Sequence, residues 1–507
     1  MPGFWSPPEG VYRGSDVVTV SLGMFKDTAY RCPAADAMKA RGYLPRARQE
    51  RPREVLEHFA LGPFMKPRSG PLHDGLRQWS AHARSVYGAA FPPDPSRPLT
   101  EVDPWTFRHR LPAADHRGAG EYRITVWGRC LRSPDGTTRE LRLPVHRIGA
   151  AEPRPGQVAA AALATAEGLP GPLPERVRVV EFAVLDGRTR VLFEGTREKA
   201  VEQYRTGGGP EALSAVLDGQ QYRPGPSCAG CAYLPVCPVL RKAPGLLGPD
   251  TPGRPRRTWS VTNGRSYRDC PARDHMRRLH LPAADAVERG AAAERGRAVH
   301  AYLAQRHGQG SLRPCTVDVP AHWVPAGFDL PADEQRLGRA LLRHHAAVCP
   351  LRRVRDRSDV RAEPRVVRHD DTAEVIVIAE PDLLYRDGDS WVWRETKTSA
   401  HGARPAQDLL RAYPQLALAV LLLSRGDLGG SASRARVELE ILRPDGADLE
   451  IIDPYAPAHR TTAAGLVRDL TAGWHRDDDY AATPGEVCTR CEVARWCSAR
   501  TDATDAA

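Results

Sequence analysis

The sequence predicts an α/β protein of two tandem domains, each a mixed sheet flanked by helices. Two observations support this prediction: a pattern of four cysteines occurs twice along the 507 residues, and the segments between these cysteines align with each other. A third is a stretch rich in Pro, Gly and Arg between the two patterns, a composition typical of a connection between domains. The length suffices for two or three domains with full hydrophobic cores.

The eleven cysteines carry the clearest sign of repetition. Two triplets share the spacing Cys-x2-Cys-x5-Cys, and a lone Cys-Pro lies far upstream of each triplet. The first set is Cys32, Cys228, Cys231 and Cys237, and the second is Cys270, Cys488, Cys491 and Cys497. The segments CPAADAMK and CPARDHMR, which begin at the two lone cysteines, share Cys, Pro, Ala, Asp and Met. Repeated spacing with repeated local sequence indicates an internal duplication.

The segments between the cysteines extend the duplication. Ile124–Val145 aligns with Ile376–Lys397 about a shared Asp-Gly turn, and the helix-like runs that begin at Gln157 and Gln415 follow. Each run precedes a strand–turn–strand pattern. We infer a repeat of about 240 residues, which is too long a period for a solenoid. The predicted domains are residues 1–241 and 258–507, joined by a linker at 242–257.

The second half contains a charged hairpin. Arg386-Asp387-Gly388-Asp389 is a turn signal between two β-rich segments. Glu395 and Lys397 share one face of the second strand because side chains alternate along a strand, and the hairpin returns this face beside Asp382. Paired carboxylates hold Mg²⁺ or Mn²⁺. Such an ion lowers the pKa of a bound water and stabilises charge on a phosphate.

A surface hairpin with chance charges is the alternative interpretation. Lysine usage argues against it, because the chain has only six lysines among its 72 basic residues, and Lys397 is the only one after Lys242. Arginine would be a poor replacement at a catalytic position, since its guanidinium is wider than an ammonium and always charged. Lys397 can orient the attacking water and stabilise its hydroxide form.

Pro381-Asp382, followed after twelve residues by Glu395-Thr396-Lys397, resembles the PD-(D/E)xK nuclease superfamily. The segments SYRDCP, which ends at Pro271, and RGRAVH, which ends at His300, are similar to motifs of its RecB-like branch. Members of that branch, such as AddB and the CRISPR-associated adaptation nuclease, carry an iron–sulfur cluster. The resemblance covers most of Val261–Ser498, and it implies restriction-endonuclease-like α/β domains.

The resemblance also implies an activity and a ligand set. It implies a metal-dependent deoxyribonuclease that acts on single-stranded DNA or DNA ends in repair, recombination or defence. His300, Asp382 and Glu395 would hold the Mg²⁺ or Mn²⁺. Gln415 would lie beside the site, although Ala419 stands where the family motif has a tyrosine. Glu363 is a weaker candidate for the same site.

By the same resemblance, the cysteines hold iron–sulfur clusters. One upstream cysteine and three downstream cysteines would bind a [4Fe-4S] cluster, for which four thiolates are the usual ligands. The repeat then predicts two clusters, one for each four-cysteine set. A structural zinc with four cysteines is the main rival. Cys130, Cys315 and Cys349 are predicted to be ordinary buried thiols.

The first domain is predicted to be an inactive copy. In the alignment, Asp382 corresponds to Cys130, Glu395 to Leu143 and Lys397 to Val145, so that no carboxylate pair remains. His73 is assigned to the place of His300. Such a copy would hold DNA or serve a purely structural role.

Charge and targeting signals complete the expectations. The net charge of +10 suits a polyanionic partner such as DNA, without establishing one. No signal peptide is evident in Met1–Gly10, and the longest apolar run, Leu416–Leu423, is too short to span a bilayer. We therefore expect a cytoplasmic protein with reduced thiols and no membrane association.

The chain also lacks a Walker A pattern, so any helicase motor would be a separate protein. The alternative function is a non-catalytic DNA-binding or scaffold subunit of a helicase–nuclease complex. A zinc-stabilised nucleic-acid-binding protein is a third hypothesis.

Overall fold

The chain forms two compact units in a computed structural model. The first unit is Met1–Leu240 with Arg278–Pro282, and the second is Arg241–Arg277 with Ala283–Ala507. The structure describes residues 5–26, 30–47, 61–65, 72–250, 254–283, 290–309, 312–400 and 408–500. Each unit contains mixed sheets flanked by helices, which confirms the predicted α/β class. Among the helices in these ranges, none combines the length and the apolar character needed to cross a membrane.

The first unit contains ten strands and six α-helices within its described residues. The strands are β1 (Val11–Arg13), β2 (Val17–Ser21), β3 (Tyr43–Pro45), β4 (Thr100–Val102), β5 (Thr106–Arg110), β6 (Glu121–Thr125), β7 (Arg129–Arg132), β8 (Thr138–Val145), β9 (Arg176–Ala183) and β10 (Thr189–Thr196). The helices are α1 (Pro33–Ala40), α2 (Gly62–Met65), α3 (Asp74–Ala90), α4 (Pro155–Glu167), α5 (Arg197–Thr206) and α6 (Gly209–Leu217).

The main sheet of the first unit has the strand order β10-β9-β8-β7-β4. Strand β8 pairs antiparallel with β7 and parallel with β9, and β9 pairs antiparallel with β10. Helix α4 connects the two parallel strands, and most of its side chains are buried. A smaller sheet has the order β2-β6-β5, in which β2 is parallel and β5 antiparallel to β6. Strands β1 and β3 form a separate antiparallel pair.

The second unit contains nine strands and seven α-helices within its described residues. The strands are β11 (Arg241–Lys242), β12 (Arg257–Trp259), β13 (Val360–Ala362), β14 (Val366–Asp370), β15 (Val375–Ala379), β16 (Leu383–Asp387), β17 (Ser390–Thr398), β18 (Arg436–Arg443) and β19 (Gly446–Ile452). The helices are α7 (Val261–Asp269), α8 (Pro271–Arg278), α9 (Ala291–Gly308), α10 (Ala332–Val348), α11 (Leu409–Ala412), α12 (Pro414–Ser424) and α13 (Pro457–Arg476).

The sheets of the second unit follow the pairing pattern of the first. The main sheet has the order β13-β16-β17-β18-β19, with β17 antiparallel to β16 and parallel to β18. Helix α12 connects the parallel strands, as α4 does in the first unit. In the smaller sheet, β12 is parallel and β14 antiparallel to β15, and β11 adds one further strand beside β14.

The central strand β17 is buried along most of its length because side chains cover both of its faces. Trp391 and Trp393 on one face join a core that includes the apolar helix α12. Val392 on the other face packs in a second cluster with Tyr385. Charged residues at the end of such a strand are therefore held in a largely dry environment.

Within its described residues, the predicted linker at 242–257 contributes a strand and core residues to the second unit. Lys242 belongs to β11, which pairs with β14. Ala243, Leu246 and Leu247 are buried in the core of the second unit. The Pro and Gly content predicted a segment without regular structure. Three apolar side chains within this segment are nevertheless buried, which stabilises the folded state.

Candidate active site

Asp382 lies immediately before β16, where helix α9 approaches the main sheet of the second unit. Its Oδ1 lies 2.8 Å from Nδ1 of His300 on α9. Its Oδ2 accepts a hydrogen bond of 2.7 Å from the backbone N–H of Thr396 on β17. The structure thus brings together the predicted residues Asp382 and His300, and it fixes both carboxylate oxygens of Asp382.

Glu395 and Lys397 share one face of β17, as alternation along the strand predicts. The Nε1 of Trp393 donates a hydrogen bond of 3.0 Å to Oε1 of Glu395. Nζ of Lys397 lies 3.5 Å from Oε2 of the same carboxylate. The side chain of Glu395 is 8% exposed and that of Lys397 is 33% exposed. Glu395 is therefore oriented within the protein, whereas the ammonium of Lys397 reaches solvent.

The surroundings shift the pKa values of the two carboxylates in opposite directions. Burial, reinforced by the charge of Asp382, raises the pKa of Glu395 to about 7. Burial also opposes ionisation of Asp382, but the hydrogen bond and charge of His300 outweigh it and lower the pKa of Asp382. Two carboxylates held together with little water are the arrangement that a divalent cation stabilises.

Glu363, the weaker candidate from the sequence, lies in the same pocket. Asp382, His300, Thr396 and Glu363 all line this small pocket. The backbone N–H of Glu363 donates to the carbonyl of Asp382 at 3.1 Å, and its φ of 44° places a non-glycine residue in the left-handed region. Burial and the charge of Asp382 raise the pKa of Glu363. Glu363 thus lies beside Asp382 as a further acidic group of this pocket.

Gln415 is less closely tied to these residues. It is the second residue of α12 and is half-buried. Among the described residues, no hydrogen bond joins it to Asp382, Glu395 or Lys397. Tyr413 precedes α12 and packs against the core of the second unit. The predicted place of Gln415 beside the catalytic residues therefore stays a prediction.

The second four-cysteine set lies where the two ends of the second unit meet. Cys270 directly precedes α8, and its Sγ accepts a hydrogen bond of 3.4 Å from the backbone N–H of Thr483. The downstream cysteines lie in or beside two short 3-10 helices, Glu486–Arg490 and Ala494–Trp496. Burial raises the pKa of Cys491, and the Cys270 thiol adds to this effect.

A buried ion pair joins the same two ends. The carboxylate of Glu492, beside Cys491, is 3% exposed and accepts hydrogen bonds from Arg273 and Arg277 of α8. The helix that follows Cys270 is thereby tied to the segment that carries the triplet.

The first set has the same local structure. Cys32 directly precedes α1, and its Sγ accepts a hydrogen bond of 3.5 Å from the backbone N–H of Arg223. The triplet lies in or beside the 3-10 helices Pro226–Gly230 and Leu234–Val236. Burial, followed by the thiols of Cys228, Cys32 and Cys237, raises the pKa of Cys231 to about 12. Such thiols become thiolates only with a compensating cation.

The first unit has apolar side chains where the second has its charged cluster. Cys130 of β7 pairs with Leu141 of β8. In the second unit Leu383, next to Asp382, pairs with Arg394, next to Glu395. If Cys130 corresponds to Asp382, the strand register makes Leu141 the counterpart of Glu395. The gapless alignment of the two sequences had paired Glu395 with Leu143, two residues further on. Both leucines are apolar.

The place of His73 as the counterpart of His300 stays a prediction, although the two residues have different local positions. His73 precedes α3, and its Nδ1 accepts a hydrogen bond of 3.2 Å from the backbone N–H of Gly75, so it caps the helix. His300 lies instead within α9. Within α3, the Nε2 of His82 lies 2.9 Å from the carbonyl oxygen of Leu185. A Gly-x-x-His match alone did not distinguish a capping position from a position within the helix.

Comparison with known proteins supports a nuclease relationship for the second half. Residues 258–498 match the family model of the PD-(D/E)XK nuclease superfamily, whose members are usually metal-dependent nucleases. No protein with a curated description matches the chain. The crystal structure of SSO0001 is similar at 16% sequence identity over 28% of this chain and 62% of its own, with a TM-score of 0.19. A likeness that low supports no conclusion about fold or function.

Proposed function

We propose that the second unit is a Mg²⁺- or Mn²⁺-dependent deoxyribonuclease that hydrolyses phosphodiester bonds. The observation that carries this proposal is the convergence of His300, Asp382, Glu395 and Lys397 at one end of the hairpin. This convergence lies within the segment that matches the nuclease family. The carboxylates of Asp382 and Glu395 and the imidazole of His300 would hold the cation, which would acidify a bound water and stabilise charge on the phosphate.

The residues around the cation would position it and the water. Trp393 fixes one oxygen of Glu395, and the backbone N–H of Thr396 fixes one oxygen of Asp382. Lys397 would orient the attacking water and stabilise its hydroxide form, because its ammonium is partly exposed beside Glu395. Glu363 would supply a further oxygen to the same pocket, and Gln415 would contact the nucleic-acid strand.

Cleavage assays of the full-length protein test this assignment. With Mn²⁺ or Mg²⁺, we expect cleavage of single-stranded DNA or of duplexes with free ends, and less of circular duplex DNA. Asp382→Asn should abolish the activity while leaving the circular dichroism spectrum unchanged. Unchanged cleavage by this variant would show that the site is assigned wrongly. DNA binding without cleavage by the wild type would favour the non-catalytic scaffold function.

We further propose that each four-cysteine set holds a [4Fe-4S] cluster, as in the RecB-like branch. Backbone N–H groups that point at Cys32 and Cys270 support this assignment, since such hydrogen bonds stabilise cluster sulfurs. Anaerobically purified protein should be brown and contain about eight irons per chain. Cys231→Ala and Cys491→Ala should each remove about four. Colourless protein with zinc in both sets would instead establish the zinc alternative.

The shared strand pairing supports an origin of the two units by duplication. In both units the central strand is antiparallel to its predecessor and parallel to its successor, with a buried helix between. We propose that the first unit is an inactive copy that holds DNA, and that the protein acts beside a separate helicase in repair, recombination or defence.

A further inference from the structure

Four side chains of the second unit converge beside the candidate active site, and one of them, His307, also lines its pocket. His307, Cys315, His345 and Cys349 are all buried, and each offers one ligand atom within 4.8 Å of the ligand atoms of the other three. Nε2 of His307 lies 3.6 Å from Sγ of Cys315 and 4.0 Å from Sγ of Cys349. Two cysteines and two histidines are an established ligand set for structural zinc.

The four ligands come from two separate helices and the residues that follow them, so their convergence does not result from the spacing along a single helix. His307 lies in the last turn of α9, and Cys315 follows in the loop beyond it. His345 lies in α10, and Cys349 directly follows that helix, so the two are four residues apart and share one face. The backbone N–H of Cys315 donates to Sγ of Cys349 at 3.3 Å.

The separations fit a tetrahedral ion. Zinc bonds of about 2.0–2.1 Å to nitrogen and 2.3 Å to sulfur place neighbouring ligand atoms roughly 3.3–3.8 Å apart. The two measured distances from His307 lie at or just beyond this range. All separations among the four ligand atoms are at most 4.8 Å, so a contraction of about 1 Å or less would bring each of them into this range.

The environment of His345 is that of a zinc ligand. Its Nδ1 lies 2.6 Å from Oε1 of Glu440 on β18, and both side chains are almost fully buried. Its Nε2 is also buried and makes no hydrogen bond of acceptable geometry within the described part of the chain. A histidine that donates from one nitrogen to a carboxylate commonly binds zinc through the other nitrogen.

We propose that His307, Cys315, His345 and Cys349 form a structural Zn²⁺ site, separate from the proposed catalytic cation and from the cysteine sets. Binding would release the thiol protons, and two thiolates with one Zn²⁺ carry no net charge. Such neutrality suits a buried position. All four positions are taken by protein atoms, which is typical of structural rather than catalytic zinc. Cys315 and Cys349 would therefore be ligands and not ordinary buried thiols.

The site is connected to the candidate active site by hydrogen bonds. Glu440, which accepts from His345, also accepts a hydrogen bond of 3.2 Å from Oγ1 of Thr396. The backbone N–H of Thr396 in turn holds Asp382. His307 lies on α9, the helix that carries His300. Zinc would therefore fix both the helix and the strand that position Asp382.

Metal analysis of the full chain tests the proposal. Wild-type protein should contain one zinc that Cys349→Ala and His307→Gln lose, so that zinc per chain falls by about one while iron stays unchanged. Cys130→Ala removes a buried thiol of the first unit that belongs to neither set, and it should keep the zinc. Equal zinc in wild type and Cys349→Ala, or no zinc in wild-type protein, would overturn the proposal.

A measurement on the wild type decides the question if the variants fail to fold. Zinc-edge X-ray absorption should give two nitrogen and two sulfur neighbours. Four sulfur neighbours would place the metal in the cysteine sets instead, and a Cys315–Cys349 disulfide found by mass spectrometry would exclude the site. These outcomes do not depend on nuclease activity, so the zinc site and the proposed function can fail separately.

Discussion

The central hairpins of the two units have the same strand pairing and carry opposite kinds of side chain. In the first unit, β7 and β8 bring Cys130 beside Leu141, and both are almost fully buried. In the second unit, the corresponding strands bring Asp382 near Glu395, with a lysine two residues further on. The first unit therefore forms the same strand pairing, with a helix between its parallel strands, although it lacks the charged cluster.

The difference carries an energetic cost. Burying an ionised carboxylate is unfavourable unless it is hydrogen-bonded or paired. In the second unit, hydrogen bonds offset this cost. Trp393 donates to Glu395, and the backbone N–H of Thr396 and the imidazole of His300 contact Asp382. The first unit needs none of these donors. If the first unit is an inactive copy, as proposed, apolar residues at these positions pack at no electrostatic cost.

The sharpest test of this difference is a pair of substitutions at aligned positions. Lys397→Ala should lower the cleavage rate by about a thousand-fold, since one charge that stabilises the reacting centre is removed. Leu143→Ala, its counterpart in the first unit by strand register, should leave the rate within about two-fold. Rates are measured on one single-stranded substrate with Mn²⁺. Equal losses in both variants would contradict the assignment of activity to the second unit alone.

Substitution of a helix histidine in each unit, His300 and His82, is expected to change the cleavage rate less than Lys397→Ala does. His300→Ala should lower cleavage by about 10- to 100-fold, because Asp382 loses its partner on α9. His82→Ala removes a helix histidine of the first unit that contacts a backbone carbonyl, and it should not change the rate. Cleavage is compared across Mn²⁺ concentrations. A defect of His300→Ala that high Mn²⁺ relieves supports a role in holding the cation, whereas a loss in His82→Ala would give the first unit a part in the reaction.

The sequence predicted those parts of the fold and site that depend on local spacing. Alternation along β17 placed Glu395 and Lys397 on one face, and the Asp-Gly turn placed the hairpin. The repeated cysteine spacing corresponds to the paired 3-10 helices seen in each unit. These features depend on neighbours within a few residues, where periodicity is informative.

Features that depend on distant residues were not predicted. Cys315 and Cys349 are 34 residues apart, and their convergence with His307 and His345 follows from the packing of two helices. Ala243, Leu246 and Leu247 lie in a segment rich in Pro and Gly, and only the packed core shows that they are buried. Glu440 lies among alternating residues of β18, which gave no sign of a buried partner on α10.

The smallest effect is expected from a substitution in the hairpin of the second unit's smaller sheet, and it concerns the free energy of unfolding. Glu374 precedes β15, and its Oε2 lies 3.0 Å from Nε of the buried Arg256. Burial opposes its ionisation, but His369 and Arg256 outweigh burial and lower the pKa of Glu374 to about 2. In the first unit, Asp115 lies in the corresponding hairpin and accepts from Tyr122 and backbone N–H groups instead. Each hairpin thus has an acceptor, and at the second hairpin the partner Arg256 is itself buried.

A carboxyl group whose pKa is lower in the folded state stabilises the fold above its unfolded pKa of about 4.3. That contribution is lost as the pH falls from about 4.3 through about 2. Glu374→Gln should therefore lower the stability of the second unit by about 1–3 kcal/mol at pH 7, and its difference from wild type should shrink below pH 4.3. Thermal unfolding at pH 7, 5 and 3.5 measures this difference. Glu380→Gln, which removes a half-exposed partner of Arg365, should change stability by less than about 1 kcal/mol. A pH-independent difference for Glu374→Gln would show that packing, and not the ion pair, accounts for the effect.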